Sequence, residues 1–326
     1  MSERPIRREL QLPSLEPTLE RRYGLMAEPL IFRTNDAALL AVADRAFGRF
    51  AVPPAGEPLE IRLIVDGDGP PATFDPRLLR PRTQAHLHTI TLDARNHAAV
   101  DLERGIAIGT VSPEVARDAD FVRYGFIEAM GLSMLARGRG YVAIHASGVV
   151  HRGRGAVLQG PAGAGKSTLA MACARAGFGV LAEDVVFARR SGGGVELWGM
   201  PWIQRLLPEA VDLFPDLRGV VPRLQPNGEH KIEVDLDLLR PGAAQPSAQA
   251  AAAVLLVRGS DGPSRIEPLS PDEAAAAFEV LWAWGDGWSD RHEATVRALL
   301  ARGAARLHMN GPPEAATELL AGWLER

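Results

Sequence analysis

The 326-residue chain has a single cysteine, Cys173, so no disulfide can form within it and a reducing compartment is expected. It has no run of 18 apolar residues, which argues against a transmembrane helix and leaves no reason to expect a membrane partner. The opening residues, Met1-Ser2-Glu3-Arg4-Pro5-Ile6-Arg7-Arg8-Glu9, are charged and lead into no apolar stretch of the kind a secretory signal carries, so a cytoplasmic location is expected. A basic excess is also missing: 36 Lys and Arg stand against 40 Asp and Glu, a net charge of −4. Chains that bind nucleic acid or anionic surfaces through charge ordinarily carry the opposite balance, and neither partner is expected here. No internal repeat is visible.

What is present is an ordinary globular composition, 46% apolar and 23% charged. The Ala runs at residues 250–253 and 274–277, with 33 Gly and 25 Pro, read as the compositional bias of a GC-rich genome. Residues 1–25 are polar and Pro-broken, the pattern of an arm or loop. Helical spacing follows over 36–50, strand alternation over 59–65 and 86–92, a hairpin over 98–111 and a helix over 121–135. Residues 1–135 are therefore expected to form a smaller α/β domain that recognises substrate. Residues 136–326 read as a second α/β domain. It has one strand over 141–150, short strands at 156–159, 180–182, 185–188 and 195–198, a helix over 203–214, and strands at 231–235, 253–257 and 306–309. Helices are expected over 272–284, opened by Ser270 as N-cap with Pro271 at N1, and over 291–302 and 313–324.

The chemistry lies in this second part. Gly160-Pro161-Ala162-Gly163-Ala164-Gly165-Lys166-Ser167 fits the Walker A pattern G-x-x-x-x-G-K-[ST] in full. In a P-loop of this kind, backbone amides form an anion nest, the following helix adds its positive end, and glycines let the chain approach phosphates. A strand run (AVLQ) precedes the loop and a helical run beginning at Thr168 follows it, which is the context the pattern requires. The prediction is a site for ATP and Mg²⁺, with Lys166 on the β- and γ-phosphates and the Ser167 hydroxyl on the metal. Such a site needs an acid at a neighbouring strand end, and Glu183-Asp184 follow the apolar run 180–182, close behind the loop. Adjacent acids allow one to hold the metal and the other to take a proton from an attacking hydroxyl. Extra positive charge for the transition state is sought in Lys231, Arg205 and Arg223.

Residues 144–186, IHASGVVHRGRGAVLQGPAGAGKSTLAMACARAGFGVLAEDVV, resemble the HPr kinase/phosphorylase family, whose catalytic core is shared with bacterial phosphoenolpyruvate carboxykinases. Histidine on a strand, hairpin, P-loop, helix ending in Gly and acidic pair occur in the family's order. The resemblance is strong over those 43 residues, weak over 141–326 and absent before them. It implies an α/β fold with that P-loop core, ATP bound by residues 160–168, Glu183 and Asp184 serving metal and hydroxyl, and His145 near the reacting phosphate. Glu rather than Asp at 183 departs from the family. The expectation is Asp184 on Mg²⁺ and Glu183 as base, with the reverse left open. The family's long Gly-rich phosphorolysis signature is also missing, and WGMPWIQRLLPEAVDLFPDL stands in its place at residues 198–217. That resembles short kinase relatives, including ones that phosphorylate precursor peptides. The resemblance thus implies a kinase without phosphorylase activity, acting on a serine hydroxyl of a protein or peptide, and a homo-oligomer, since the family forms oligomers. The alternatives are a kinase with a small-molecule hydroxyl acceptor and a regulatory nucleotide-binding protein without transferase activity.

Other features read as structural. His86 and His88 lack a third ligand for a metal site. Trp282, Trp284 and Trp288 read as core or interface anchors, Cys173 as a buried small side chain, and Arg137, Arg139, Arg152 and Arg154 as solvated.

Overall fold

The computed structural model describes residues 16–53, 55–67, 73–225, 228–259, 262–278 and 290–326. The expectations for residues 1–15, for the Trp282, Trp284 and Trp288 cluster and for the far part of the 272–284 helix lie outside them. The chain divides into two compact units, residues 1–81 with 87–131, and residues 82–86 with 132–326. Among the described residues no helix is long and apolar enough to cross a membrane.

The first unit is built on strands β1 (Leu19–Leu25), β2 (Glu28–Thr34) and β3 (Leu59–Val65), with helix α1 (Ala37–Phe47) between the last two. Strands β4 (Arg80–Gln84), β5 (Leu87–Thr91), β6 (His97–Asp101) and β7 (Ile106–Val111) complete its sheet in the order β1-β2-β3-β7-β6-β5-β4. The expected arm at 1–25 is corrected over Leu19–Leu25. This segment pairs with β2 along all seven residues, and its polar front half faces outward while Tyr23 and Leu25 are buried. Helix α1 begins where Asp36 accepts from the amides of Ala38 and Leu39 at 2.7 and 3.0 Å, capping its first turn. It buries Leu39, Val42, Ala43, Ala46 and Phe47, the stripe a 3.6-residue period predicts. Short helical segments α2 (Pro113–Arg117), α3 (Ala119–Val122) and α4 (Ala129–Ser133) follow, with π-type turns over Arg123–Glu128 and Met134–Gly138.

The second unit carries β8 (Val142–His145), β9 (Ser147–His151), β10 (Arg154–Gln159), α5 (Lys166–Arg175), β11 (Gly179–Ala182), β12 (Val185–Ser191) and β13 (Gly194–Trp198). It continues with β14 (Ile203–Leu206), β15 (Arg223–Leu224), β16 (His230–Asp235), α6 (Leu236–Leu239), β17 (Ser247–Arg258) and β18 (Arg265–Pro268). The last elements are α7 (Pro271–Ala277), α8 (Asp290–Leu300), β19 (Ala304–Met309) and α9 (Pro313–Leu324). The main sheet runs β11-β9-β10-β17-β13-β12-β8, with β19 beside β17 and β18 beside β19. It forks at β17: the strand's first residues pair antiparallel with β13 and its last six pair parallel with β19. Alternate residues of β10 and β17 enter two cores. Leu158, Val254 and Leu256 pack with Leu169 of α5 and Leu320 of α9, while Val157 and Ala253 pack with Leu299 of α8. The sheet is thus covered on both faces. The 250–253 Ala run lies in β17, with Ala250, Ala252 and Ala253 almost wholly buried, so small side chains there fill a two-sided core whatever the composition of the genome.

Two further expectations are corrected. Residues 141–150 are two strands, not one. The chain breaks at Ala146: β8 before it pairs β12, while β9 after it pairs β10 and β11. Residues 203–214 are not a helix. Ile203–Leu206 forms an edge strand paired with β16, burying Gln204 and Leu206 at a two-residue period. Pro208 and Pro215 then open separate 3₁₀ turns over Pro208–Asp212 and Pro215–Leu217, because proline cannot supply a helix-interior amide.

Candidate active site

Strand β10 ends at Gln159, and the chain turns through residues 160–165 into α5. The turn needs its glycines. Gly163 and Gly165 have φ of +78° and +93°, left-handed values that side chains resist. At Gly160 a Cβ would stand 2.8 Å from the Ala164 Cβ and 3.0 Å from the Leu256 carbonyl oxygen. The Lys166 Nζ donates to the carbonyls of Gly160 at 2.8 Å and Pro161 at 3.4 Å, so the lysine lies along the inside of its own loop.

Strand β9 lies antiparallel to both β10 and β11, so β10 and β11 point the same way and Glu183, just past β11, arrives at the sheet edge that carries the loop. The Ser167 Oγ donates to the Glu183 Oε1 at 3.0 Å. Two backbone locks hold the acidic turn against the break between β8 and β9: the Ala146 amide donates to the Asp184 carbonyl at 2.9 Å and the Ser147 Oγ to the Glu183 carbonyl at 2.6 Å. His145 faces Val185 in the β8–β12 register, and that places its Nε2 3.0 Å from the Asp184 Oδ1.

The two acids occupy different surroundings. The Glu183 side chain is 9% exposed and the Asp184 side chain 64%. Burial pushes the Glu183 carboxyl above its ordinary range, and the neighbouring Asp184 charge pushes the same way. The Ser167 hydroxyl, Arg205 and Lys231 pull against them without overcoming them. Arg205 stands 3.9 Å from the Glu183 Oε2 and 3.3 Å from Glu233. Lys231 pairs with Glu229 at 3.4 Å, and Arg223 reaches Glu233 at 3.4 Å from an exposed position. The structure therefore brings His145, Lys166, Ser167, Glu183, Asp184 and Arg205 together, with Lys231 and Arg223 at the border. Ser167 meets Glu183 and not Asp184, the acid expected to share the metal with it.

The residues suit a hard cation. A hydroxyl and a buried carboxylate are oxygen donors of the kind Mg²⁺ takes, usually one or two from protein with phosphates and water supplying the rest. Among the described residues no group of three His, Cys, Asp or Glu gathers as a protein-only metal site, and His88 is buried on β5. A partly compensated buried carboxylate at the loop is where a cation would favour the ionised form.

Sequence reasoning passed over Gln204 and Ser147. Gln204 donates from Nε2 to the Ser167 carbonyl at 3.2 Å, tying β14 to the first turn of α5. Neither residue carries a motif, because each reaches the site through pairing of distant strands.

No family model matches the chain, and no curated protein matches it. Among solved structures it is similar to the HPr(Ser) kinase/phosphatase from Coxiella burnetii, at 14% identity, over 55% of this chain and 88% of that one, with a TM-score of 0.32. A likeness of that depth carries no argument about activity.

Proposed function

We propose that the protein is an ATP- and Mg²⁺-dependent kinase that transfers the terminal phosphoryl group to a hydroxyl, a serine of a protein or peptide. One observation carries the reading: a buried carboxylate hydrogen-bonded to the loop hydroxyl stands beside an exposed carboxylate paired with a histidine. A scaffold that only binds nucleotide has no use for the second pair.

The roles follow from the surroundings, and they reverse the expected division of the acidic pair. Lys166 and the loop amides hold the phosphates. Ser167 and Glu183 would hold Mg²⁺, which would neutralise charge on the phosphates during transfer. Asp184, exposed and within 3.0 Å of His145, takes the proton of the acceptor hydroxyl. That hydroxyl's oxygen bonds the terminal phosphorus as the bond to the leaving diphosphate breaks. His145 orients the Asp184 carboxylate. Arg205 and Lys231 supply positive charge toward the buried acid.

A polypeptide acceptor is favoured by the surface beside these residues. Val221 and Leu224 are 80% and 66% exposed, and Arg223 between them pairs with Glu233, which in turn meets Arg205. Apolar side chains interleaved with arginine suit a chain of residues better than a small metabolite.

The test is incubation with Mg-ATP and a serine-containing peptide library, read by mass spectrometry for a gain of one phosphoryl group. Transfer should fall by about a hundredfold or more in Asp184→Asn, in line with loss of a general base. Transfer to free metabolites alone would move the acceptor to the small-molecule class. Tight ATP binding with no transfer to any acceptor would overturn the kinase reading.

A further inference from the structure

Strands β10, β17 and β19 run parallel, so the loop after Gln159, the turn at Arg258 and the turn at Met309 all open on one edge of the sheet. Crevices outside the carboxyl ends of parallel strands are where open α/β sheets receive ligands. A cavity of about 340 Å³ lies there, lined chiefly by Gly165, Thr168, Leu169, Arg258, Met309 and Asn310. Resting on the reading of the loop as a triphosphate site, we propose that this cavity seats the nucleoside of the nucleotide, one whose base carries an exocyclic amine.

Four observations support it. The cavity begins where the phosphate loop ends: Gly165 belongs to both, Thr168 lines it from the first turn of α5, and Arg258 donates from Nη1 to the Gly163 carbonyl at 3.4 Å across their common rim. A group joined to loop-held phosphates therefore has it within reach. Its volume falls at the small end of the roughly 300–1,000 Å³ typical of small-molecule sites, suited to one nucleoside. Its walls combine Leu169, Leu213, Met309 and Pro313 with the polar side chains of Thr168, Arg258 and Asn310, and a thioether and a guanidinium both lie favourably against an aromatic ring. The Asn310 amide is held in place: its backbone N–H donates to the Ser264 Oγ at 3.0 Å and its Nδ2 to the Gly262 carbonyl at 2.8 Å, which makes Oδ1 the acceptor it offers to a ring amine.

The topology separates this seat from the reacting end. In the order β11-β9-β10-β17, with β19 beyond, the acidic turn follows β11 on one side of the phosphate strand, and the cavity residues follow β17 and β19 on the other. A nucleotide laid across the edge would present its terminal phosphate to Glu183 and Asp184 while its base occupied the cavity.

Calorimetric titration of the full chain with Mg-ATP, Mg-UTP and Mg-tripolyphosphate tests this. Met309→Trp, which fills the cavity, and Asn310→Ala, at an exposed position, should each weaken ATP, the first by about tenfold or more, while tripolyphosphate stays within about twofold. Lys166→Ala should weaken both ligands, and the wild-type chain should bind ATP more tightly than UTP. Loss of ATP and tripolyphosphate together in both cavity variants, unchanged ATP affinity in both, or equal affinity for ATP and UTP would overturn the proposal while leaving the loop reading intact. Failure of the wild-type chain to bind either ATP or tripolyphosphate would overturn the loop reading itself, and the seat with it. Asn310→Ala decides the matter if Met309→Trp fails to fold.

Discussion

Replacing Glu183 by Gln should stabilise the ligand-free protein and abolish its stabilisation by Mg-ATP. The substitution keeps the shape and leaves a carbonyl to accept from the Ser167 Oγ, which now donates to the Glu183 Oε1 at 3.0 Å, so it removes charge and little else. Burial raises the folded-state pKa of Glu183 above its ordinary value of 4.5, and the folded protein therefore binds more protons than the unfolded chain from that value up to the raised one. Stability contributed by the protonated group is whole below the ordinary value and falls as pH rises through the interval, by about 1.4 kcal/mol for each pH unit crossed. Gln does not titrate and escapes this loss. At about pH 8 the variant should melt higher, by about 2–4 °C for each kcal/mol recovered, and near pH 4 the two proteins should melt alike. Added Mg-ATP should reverse the order. At a hundredfold excess over its Kd it stabilises the wild-type fold by about 2.7 kcal/mol, and the variant, without the anionic oxygen, should gain far less. Differential scanning fluorimetry across pH, with and without Mg-ATP, reads every arm. A variant that melts lower than wild type at about pH 8 without ligand, or that gains as much from Mg-ATP, refutes the assignment of Glu183 as a poorly compensated buried acid on the metal side.

Gly165→Ala forces a side chain to φ of +93° with its Cβ 3.2 Å from the Met309 Cε; the cost should be about 1–2 kcal/mol in urea unfolding, with weaker ATP binding. Gln204→Leu removes the bond to the Ser167 carbonyl but also an Oε1 buried without a partner among the described residues, so stability should stay within about 1 kcal/mol while kcat falls because the first turn of α5 is held less firmly. The Cys173 thiol is fully buried and pushed up to about 12; it should resist iodoacetamide at neutral pH in the folded protein and react on unfolding, as read by intact mass.

The nearby-in-sequence part of the site was legible because its chemistry is local. Residues 160–165 form one turn into α5, and the pattern states both the backbone freedom that turn needs and the lysine that follows it. Glu183-Asp184 could be chosen as the acidic pair from its place after a short apolar run. The same reasoning failed at residues 203–214, where apolar spacing suits a helix in isolation but pairing of Ile203–Leu206 with β16 satisfies the backbone instead. It failed again at 141–150, where the break at Ala146 shows only in which strands accept each half.

By itself the sequence determined that a strand, a glycine turn and a helix would follow one another, with two acids close behind, since those features depend on neighbours along the chain. The tertiary structure alone decided which acid meets Ser167. Adjacent carboxylates are chemically alike on paper, and they differ here because one turn, locked by Ser147 and Ala146, buries Glu183 beside α5 and leaves Asp184 facing His145. The edge cavity has the same origin: Thr168, Arg258 and Met309 are far apart in the chain, and parallel pairing of β10, β17 and β19 brings their ends together.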